Sequence, residues 1–432
     1  MNKKARNVLS LVILTVLCLV LFVSCSSKTP DINTYSDKDL GIMGRLVQLM
    51  HHWIGNYGWT VVVFTVFLKI LMLPLDFWQR YASRKSSLKM QQMQPIIEGI
   101  DKKYGANTQR ANEEKQKLYK KQGFSMMSSC LPLIVSMVIF FVVFAGLRDY
   151  SAYSSITNFK TLSNVYYESY EEQIKNPESD YYNVELEKVY QDKYDAVYES
   201  AKKSGDSEDV AKFKGRKLGV DAVEGKYKDT CNVFKAAAIE AVQNYYIDNH
   251  ESWLWIENVW QPDTWASVMQ PYDGGSFAGG SFKSSVNLQS HPDQTAGEET
   301  YKIIRDAVLQ TGGHGKNGTW NGLMILPLMS IGLSFLSMYI SQRMEKKNRN
   351  GEVVQQNAQQ AASNKMMMII MPLMMAFFGF MYTGAFSIYM VVNYSLSILT
   401  TIAMRWPVEM FVNRNINKAD KNNKSGKATY MR

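Results

Sequence analysis

Five apolar runs, at residues 59–76, 131–147, 323–340, 366–383 and 385–404, constrain this chain more than any other feature. Each is close to the roughly 20 residues that a helix needs to cross a bilayer. In hydrocarbon every backbone N–H and C=O must be bonded within the chain, so runs of this kind fold as helices. The pattern predicts an all-α polytopic membrane protein with five transmembrane helices. Averages conceal it, because hydrophobic residues make up 46% of the chain and mean hydropathy is −0.21 once a long polar insert dilutes the apolar blocks.

The first run, WTVVVFTVFLKILMLPL over residues 59–75, carries one ionisable residue, Lys69, near its middle. A lysine at the bilayer centre costs roughly 2.5–3.5 kcal/mol on an insertion scale, so it faces protein or water, or its stem snorkels to the interface. Asp76 lies seven residues on, about 10 Å along a helix. After Lys69 no run holds an acid, a base or a histidine in its interior. A membrane protease or metal-dependent transferase therefore has no obvious apparatus. No Walker loop and no inverted repeats of interrupted helices point to an ATPase or a secondary transporter. His51 and His52 are far in sequence from His250, His291 and His314, so spacing assembles no metal ligand set. Thr60, Thr65, Ser136, Ser330, Ser334, Ser337, Ser387 and Asn393 are among the other polar residues inside the runs. Facing one another they would wet a groove around Lys69; alternatively the hydroxyls bond back to their own helices. Eight methionines between Met366 and Met390 suit either an adaptable contact surface or plain apolar filling.

Lys3, Lys4 and Arg6 precede an apolar stretch, Val8 to Val23, that ends in LFVSC and polar SSKTPD. This reads as a lipoprotein signal peptide over residues 1–24 with Cys25 as the lipidated residue; an uncleaved anchor is the alternative. Only Cys130 and Cys231 then remain, and no disulfide framework exists. Residues 25–57 follow as an extracytoplasmic segment, where Ile42, Met43, Leu46, Val47, Met50, Trp53 and Ile54 at helical spacing suggest an amphipathic helix on the membrane. After a first span at 58–77, residues 78–127 hold 11 basic and 4 acidic residues and read as a cytoplasmic helical hairpin. Gly105 ends its first helix, Asn107 or Thr108 caps its second, and Pro95 kinks the first or moves its start. Spans at 128–148 and 321–342 flank a large extracytoplasmic insert, 149–320, with 17 basic and 27 acidic residues. Its residues 165–247 read as helical. Residues 272–318, rich in Gly and Ser, read as loop poor in core with one short helix near 299–310. The tryptophans of ESWLWIENVWQPDTW suit headgroup anchors or a small hydrophobic cluster. A loop at 343–365, spans at 366–383 and 385–405 and a basic tail at 406–432 complete the chain. The positive-inside rule places hairpin, loop and tail in the cytoplasm, and the N-terminus and insert outside. Five spans are the number that joins these ends.

Several of these stretches resemble the YidC/Oxa/Alb membrane protein insertases, over residues 45–150, 253–263 and 321–410. TVFLKILMLPL is similar to the family's first conserved span, and MQQMQPIIEGIDKKYG with QKLYKK to its cytoplasmic hairpin. SCLPLIVSMVIF is similar to the next span. LWIENVWQPD and ILPLMSIGLSFLSMYISQRM resemble the short outside motif and the third span, and MMIIMPLMMAFFGF and TGAFSIYMVVNYSLSILTTI the last two. The resemblance implies an insertase and chaperone of the bacterial cell (inner) membrane that is not an enzyme and uses no cofactor or metal. Nascent membrane proteins and membrane lipids are the implied partners, the ribosome and Sec translocon further candidates, and DNA is not one. It also implies a hydrophilic groove whose positive charge, at the position of Lys69, receives polar client segments. Arg is usual there; Ser136 stands where relatives often have Gln, and Val138 where they often have Pro. Tyr389 matches an aromatic position on the substrate path. Lys69, Thr65, Ser136, Tyr389 and Asn393 are thus the expected groove residues, with Cys25 the lipidation site. The acidic insert has no recognised counterpart. A surface lipoprotein with a ligand-binding ectodomain and a small-solute transporter are the alternative readings.

Overall fold

The computed structural model describes residues 40–105, 108–121, 126–273, 282, 296–346, 372–373 and 376–429. Among these, β structure is limited to isolated bridges between Trp253 and Ile256 and between His314 and Trp320. The expected signal peptide with Cys25, most of the 343–365 loop and much of the 366–383 span lie outside the described residues.

Helix α1 (Ile42–Ile54) stops at Gly55, whose φ of 76° is the left-handed conformation that glycine adopts without strain. Asn56 then starts α2 (Tyr57–Tyr104): its side-chain oxygen accepts the Trp59 N–H. This helix of 48 residues is about 72 Å long at 1.5 Å per residue. It carries the expected first span and continues through Pro74 and Pro95 into the hairpin, so Pro95 is neither a start nor an end. Gly105 ends it in the right-handed region, φ −53°. Helix α3 (Thr108–Lys121) packs back along α2, with Lys115 Nζ 2.5 Å from Asp101 Oδ1.

Helix α4 (Met126–Lys175) holds the second expected span in its first half and runs on into the insert, where α5 (Val184–Lys203), α6 (Glu208–Lys226), α7 (Lys228–Asn249) and α8 (Ala296–Thr311) pack around its end. Asn183 and Ser207 cap α5 and α6 by accepting the Glu185 and Val210 N–H groups. Helices α9 (Ile325–Lys346) and α10 (Gly384–Thr429) close the chain, and α10 packs on both α2 and α9.

Two cores form. The insert core joins Tyr166, Tyr170 and Ile174 of α4 to Leu186, Tyr190, Val220, Phe234 and Val242. Tyr272, Phe282, Tyr301, Ile304 and Val308 are also buried in it, and the Phe282 and Tyr301 rings stack at 4.1 Å. Tyr301, Ile304 and Val308 belong to the short helix expected near 299–310, Tyr272 and Phe282 add core from the stretch before it, and the rest of that Gly- and Ser-rich stretch, 274–281 and 283–295, lies outside the described residues. The second core joins Val61, Phe64 and Leu68 of α2, Val143 and Leu147 of α4, Trp253 and Trp260, and Phe386 and Tyr389 of α10. Trp253 and Trp260 are thus core residues, whereas Trp265 is 65% exposed.

Polarity is inverted along α2, α9 and α10, the three described helices long and apolar enough to cross a membrane. Thr60, Thr65, Ser330, Ser334, Ser387 and Thr401 are buried, while Phe67, Ile70, Leu71, Leu328, Phe335, Leu336, Leu399 and Ile402 are exposed. Such an exterior would be a large aggregation-prone patch in water and suits lipid.

The stretch 251–263 ties the helix starts together. Glu251 Oε2 accepts the Tyr57 N–H at 2.9 Å, at the start of α2. Buried Asp263 accepts from Met324 N (3.2 Å), Leu326 N (2.8 Å) and Trp255 Nε1 (3.2 Å), at the start of α9. The Gln261 and Val259 carbonyls accept the Gly384 and Ala385 N–H groups at 2.7 and 2.6 Å, at the start of α10. Three sets of N–H groups that a helix cannot satisfy internally are met by one loop, and two of the acceptors are acids at positive helix ends.

Candidate functional site

Lys69 sits on the face of α2 that meets α10. Its side chain is 13% exposed and runs along α2 to Asp76, with Nζ 2.8 Å from Oδ2; Asp76 is 18% exposed. The ammonium also donates to Ser397 Oγ of α10 at 3.0 Å. Snorkelling describes the direction of the stem, but the ammonium ends on a carboxylate and a hydroxyl. Leaving it unpaired in such a place would be costly, so the pair is what permits the burial.

The same seam continues toward the ends of both helices. Arg80 donates to Thr400 Oγ1 at 3.5 Å, and Arg84 Nη2 lies 3.9 Å from Glu409 Oε1, which also meets Arg405 at 3.7 Å. A file of cations on α2 thus faces hydroxyls and an acid on α10.

The expected groove residues divide. Tyr389, Asn393 and Ser397 follow one another every four residues and so share a face of α10. Tyr389 is buried beside Phe386, and Asn393 is half-buried. Thr65 precedes Lys69 by one turn but donates to Val61 O at 2.6 Å, so its hydroxyl is satisfied by its own helix. Ser330 and Ser334 do the same within α9. The side chain of Ser136 lies outside the described residues. The sequence marks Asp76 only as the residue seven beyond Lys69, and nothing in it singles out Ser397. The seven-residue spacing of Lys69 and Asp76 was the available signal, since it places both on one face.

A second polar region lies where the insert meets the loop. A cavity of about 180 Å³ is lined by Tyr57, Asn158, Tyr246, Glu251, Glu257 and Trp260, among others. Glu257 lies 3.5 Å from His250 Nε2 and 3.8 Å from His314 Nε2, and Glu251 lies 3.4 Å from His51 Nε2. Burial pushes the Glu251 carboxyl above its usual range, against the pull of the Tyr57 N–H. Burial, with His52 beside it, pushes His51 below its usual value. Among the described residues no group of three or more His, Cys, Asp or Glu is placed to hold a metal ion.

Comparison with known proteins agrees with helices long and apolar enough to cross a membrane. The family model described as 60Kd inner membrane protein matches residues 49–181 and 236–410, leaving out α5, α6 and the start of α7. Over 113 residues the chain is 40% identical to a protein of Caldanaerobacter subterraneus subsp. tengcongensis named membrane protein insertase YidC, covering 26% of this chain and 53% of that one. Proteins of the same name from Campylobacter jejuni and Endomicrobium trichonymphae are 34% identical over 107 residues and 33% over 129. Those matches span 20% and 24% of the relatives' length. Because the family model matches well over half of its residues, the chain belongs to the 60Kd inner membrane protein family, that of the YidC-type proteins.

Proposed function

We propose that the chain is a membrane protein insertase and chaperone of the bacterial inner membrane, in which Lys69 receives polar segments of nascent client proteins. The observation that carries the reading is Lys69 itself: a nearly buried ammonium between two apolar helices, beside a carboxylate and a hydroxyl. The names of the relatives and the family membership support the class of activity. No bond is made or broken. A wet groove shortens the apolar distance that a polar segment must cross, and Lys69 attracts the segment's acidic residues. The client's own apolar helix then leaves sideways into lipid, driven by its transfer free energy. Thr65, Tyr389, Asn393 and, from the span in α4, Ser136 would line the path. Five spans, with 128–148 and 366–383 added to the three above, put the basic hairpin and tail in the cytoplasm. There they are within reach of the ribosome, with the Sec translocon as a membrane partner, while a lipidated Cys25 and the acidic insert lie outside.

At an effective dielectric near 20, unit charges about 4 Å apart interact by roughly 4 kcal/mol, enough to alter capture of an acidic tail. Lys69→Arg is expected to retain activity, Lys69→Ala to fail for clients with acidic translocated tails, and Lys69→Glu to be worst. The measurement is in vivo insertion of paired clients that differ only in tail charge, at matched protein levels. Wild-type insertion of both clients by Lys69→Ala would refute the reading.

A further inference from the structure

We infer that Asp76 is an internal competitor for the client carboxylates that Lys69 receives, and so sets how acidic a segment must be before it is captured. The inference rests on the receiving role of Lys69 proposed above. An arriving carboxylate does not meet a bare ammonium; it meets one already neutralised at 2.8 Å. Capture is then an exchange of one anion for another, and its free energy is the difference between two pairings rather than the whole of either. A device of this kind selects by raising the threshold against weak competitors.

The geometry suits exchange. Although Asp76 Oδ2 is buried, it accepts no well-directed hydrogen bond. Lys69 donates to Ser397 Oγ at 3.0 Å, and its ammonium carries two further N–H groups. The contact with Asp76 is a close ion pair outside good hydrogen-bond geometry, and a carboxylate arriving in line with another N–H of the ammonium competes with it on favourable terms. Lys69 and Asp76 belong to one helix, so their separation does not require α2 and α10 to part, and Ser397 keeps the ammonium at the seam meanwhile. Arg80 stands four residues beyond Asp76, the spacing at which acid and base pair on a helix. A carboxylate released from Lys69 thus has a second cation within a turn. In this scheme Asp76 is a specificity-determining residue and Ser397 a positioning one.

The test uses the full chain in proteoliposomes of phosphatidylethanolamine and phosphatidylglycerol, with client pairs that carry Asp or Asn in the translocated segment. The readout is the ratio of acidic to neutral insertion, which a purely structural role would leave unmoved. Asp76→Asn is expected to raise this ratio about three- to tenfold, Asp76→Glu to keep it near wild type, and Lys69→Ala to bring it to about one. An unchanged ratio in Asp76→Asn, with Lys69→Ala still lowering it, overturns the competitor role and leaves the receiving role standing. A ratio indifferent to Lys69→Ala removes the receiving role, and the competitor with it. Equal loss of both clients in Asp76→Asn, rescued by Asp76→Glu, makes Asp76 a structural partner and also overturns the inference. Should Asp76→Asn not accumulate, the wild-type chain decides: capture should climb with a second and third client Asp, and saturation at the first sinks the idea.

Discussion

Asp263 shows how much one side chain can carry. Its two oxygens hold the start of α9 and the indole of Trp255, and its burial is complete. Asp263→Ala leaves three donors without their acceptor, and each buried unsatisfied donor costs about 1–3 kcal/mol. Some will find water, so a loss of about 3 kcal/mol is expected, concentrated where α9 begins. Native-state hydrogen exchange at residues 324–330 should rise far more than exchange within α5 and α6; uniform protection would contradict the tie. The Gly322 position enforces the same contact, since a Cβ there would lie 2.0 Å from Asp263 Oδ1. The motif WQPD was visible in the sequence as an outside motif, but the carboxylate's function as a helix cap was not. Its partners lie 61 and 63 residues away, beyond the reach of local pattern.

Two glycines of α6 make opposite predictions at the scale of the element. Gly219 faces α5, and a Cβ there would sit 2.7 Å from Cε2 of Tyr190, which is fully buried and has nowhere to move. Gly219→Ala gains up to about 1 kcal/mol of helix propensity. It loses about 1–3 kcal/mol to overpacking, so a net destabilisation is expected. Gly225 has open space around its missing Cβ. Gly225→Ala should therefore stabilise α6 by about 0.5–1 kcal/mol. Hydrogen exchange across residues 184–226 of the two purified variants reads both signs, and a shift in the same direction for both would contradict the packing. Helix content here was legible from composition, and so was the short helix near 299–310, found as α8. Which glycine touches α5 was not, because that depends on the angle at which two helices cross.

Across the whole molecule the two hydrophobic cores are joined chiefly by α4, which belongs to both. The spanning helices find their packing partners, and the acceptors for their first N–H groups, without α5 or α6. Replacing residues 160–247 and 270–318 by short linkers is therefore expected to leave insertion of simple clients largely intact. The readout is insertion at matched protein level and orientation. Complete loss under those conditions would make the insert part of the core machine. The family match leaves out 182–235 alone and covers 149–181 and 236–320, so the expectation that the whole insert lacks a family counterpart is corrected: only its middle, with α5 and α6, stands outside the match.

Some of this protein was decided by sequence alone. Runs of membrane length must be helical because lipid offers backbone groups no partner, and a lysine inside one of them must be compensated whatever surrounds it. Those constraints are local, so they survive without knowledge of the fold. The tertiary structure decided the identity of the compensation. Asp76 reaches Lys69 because α2 continues unbroken through Pro74, and Ser397, 328 residues away, reaches it because α10 packs on α2 at that height. Likewise Tyr272, Phe282 and Tyr301 became core only when α4 and α8 enclosed them. A side chain's partner depends on helix register and crossing, which are set by contacts summed over the whole chain, and no single stretch contains that sum.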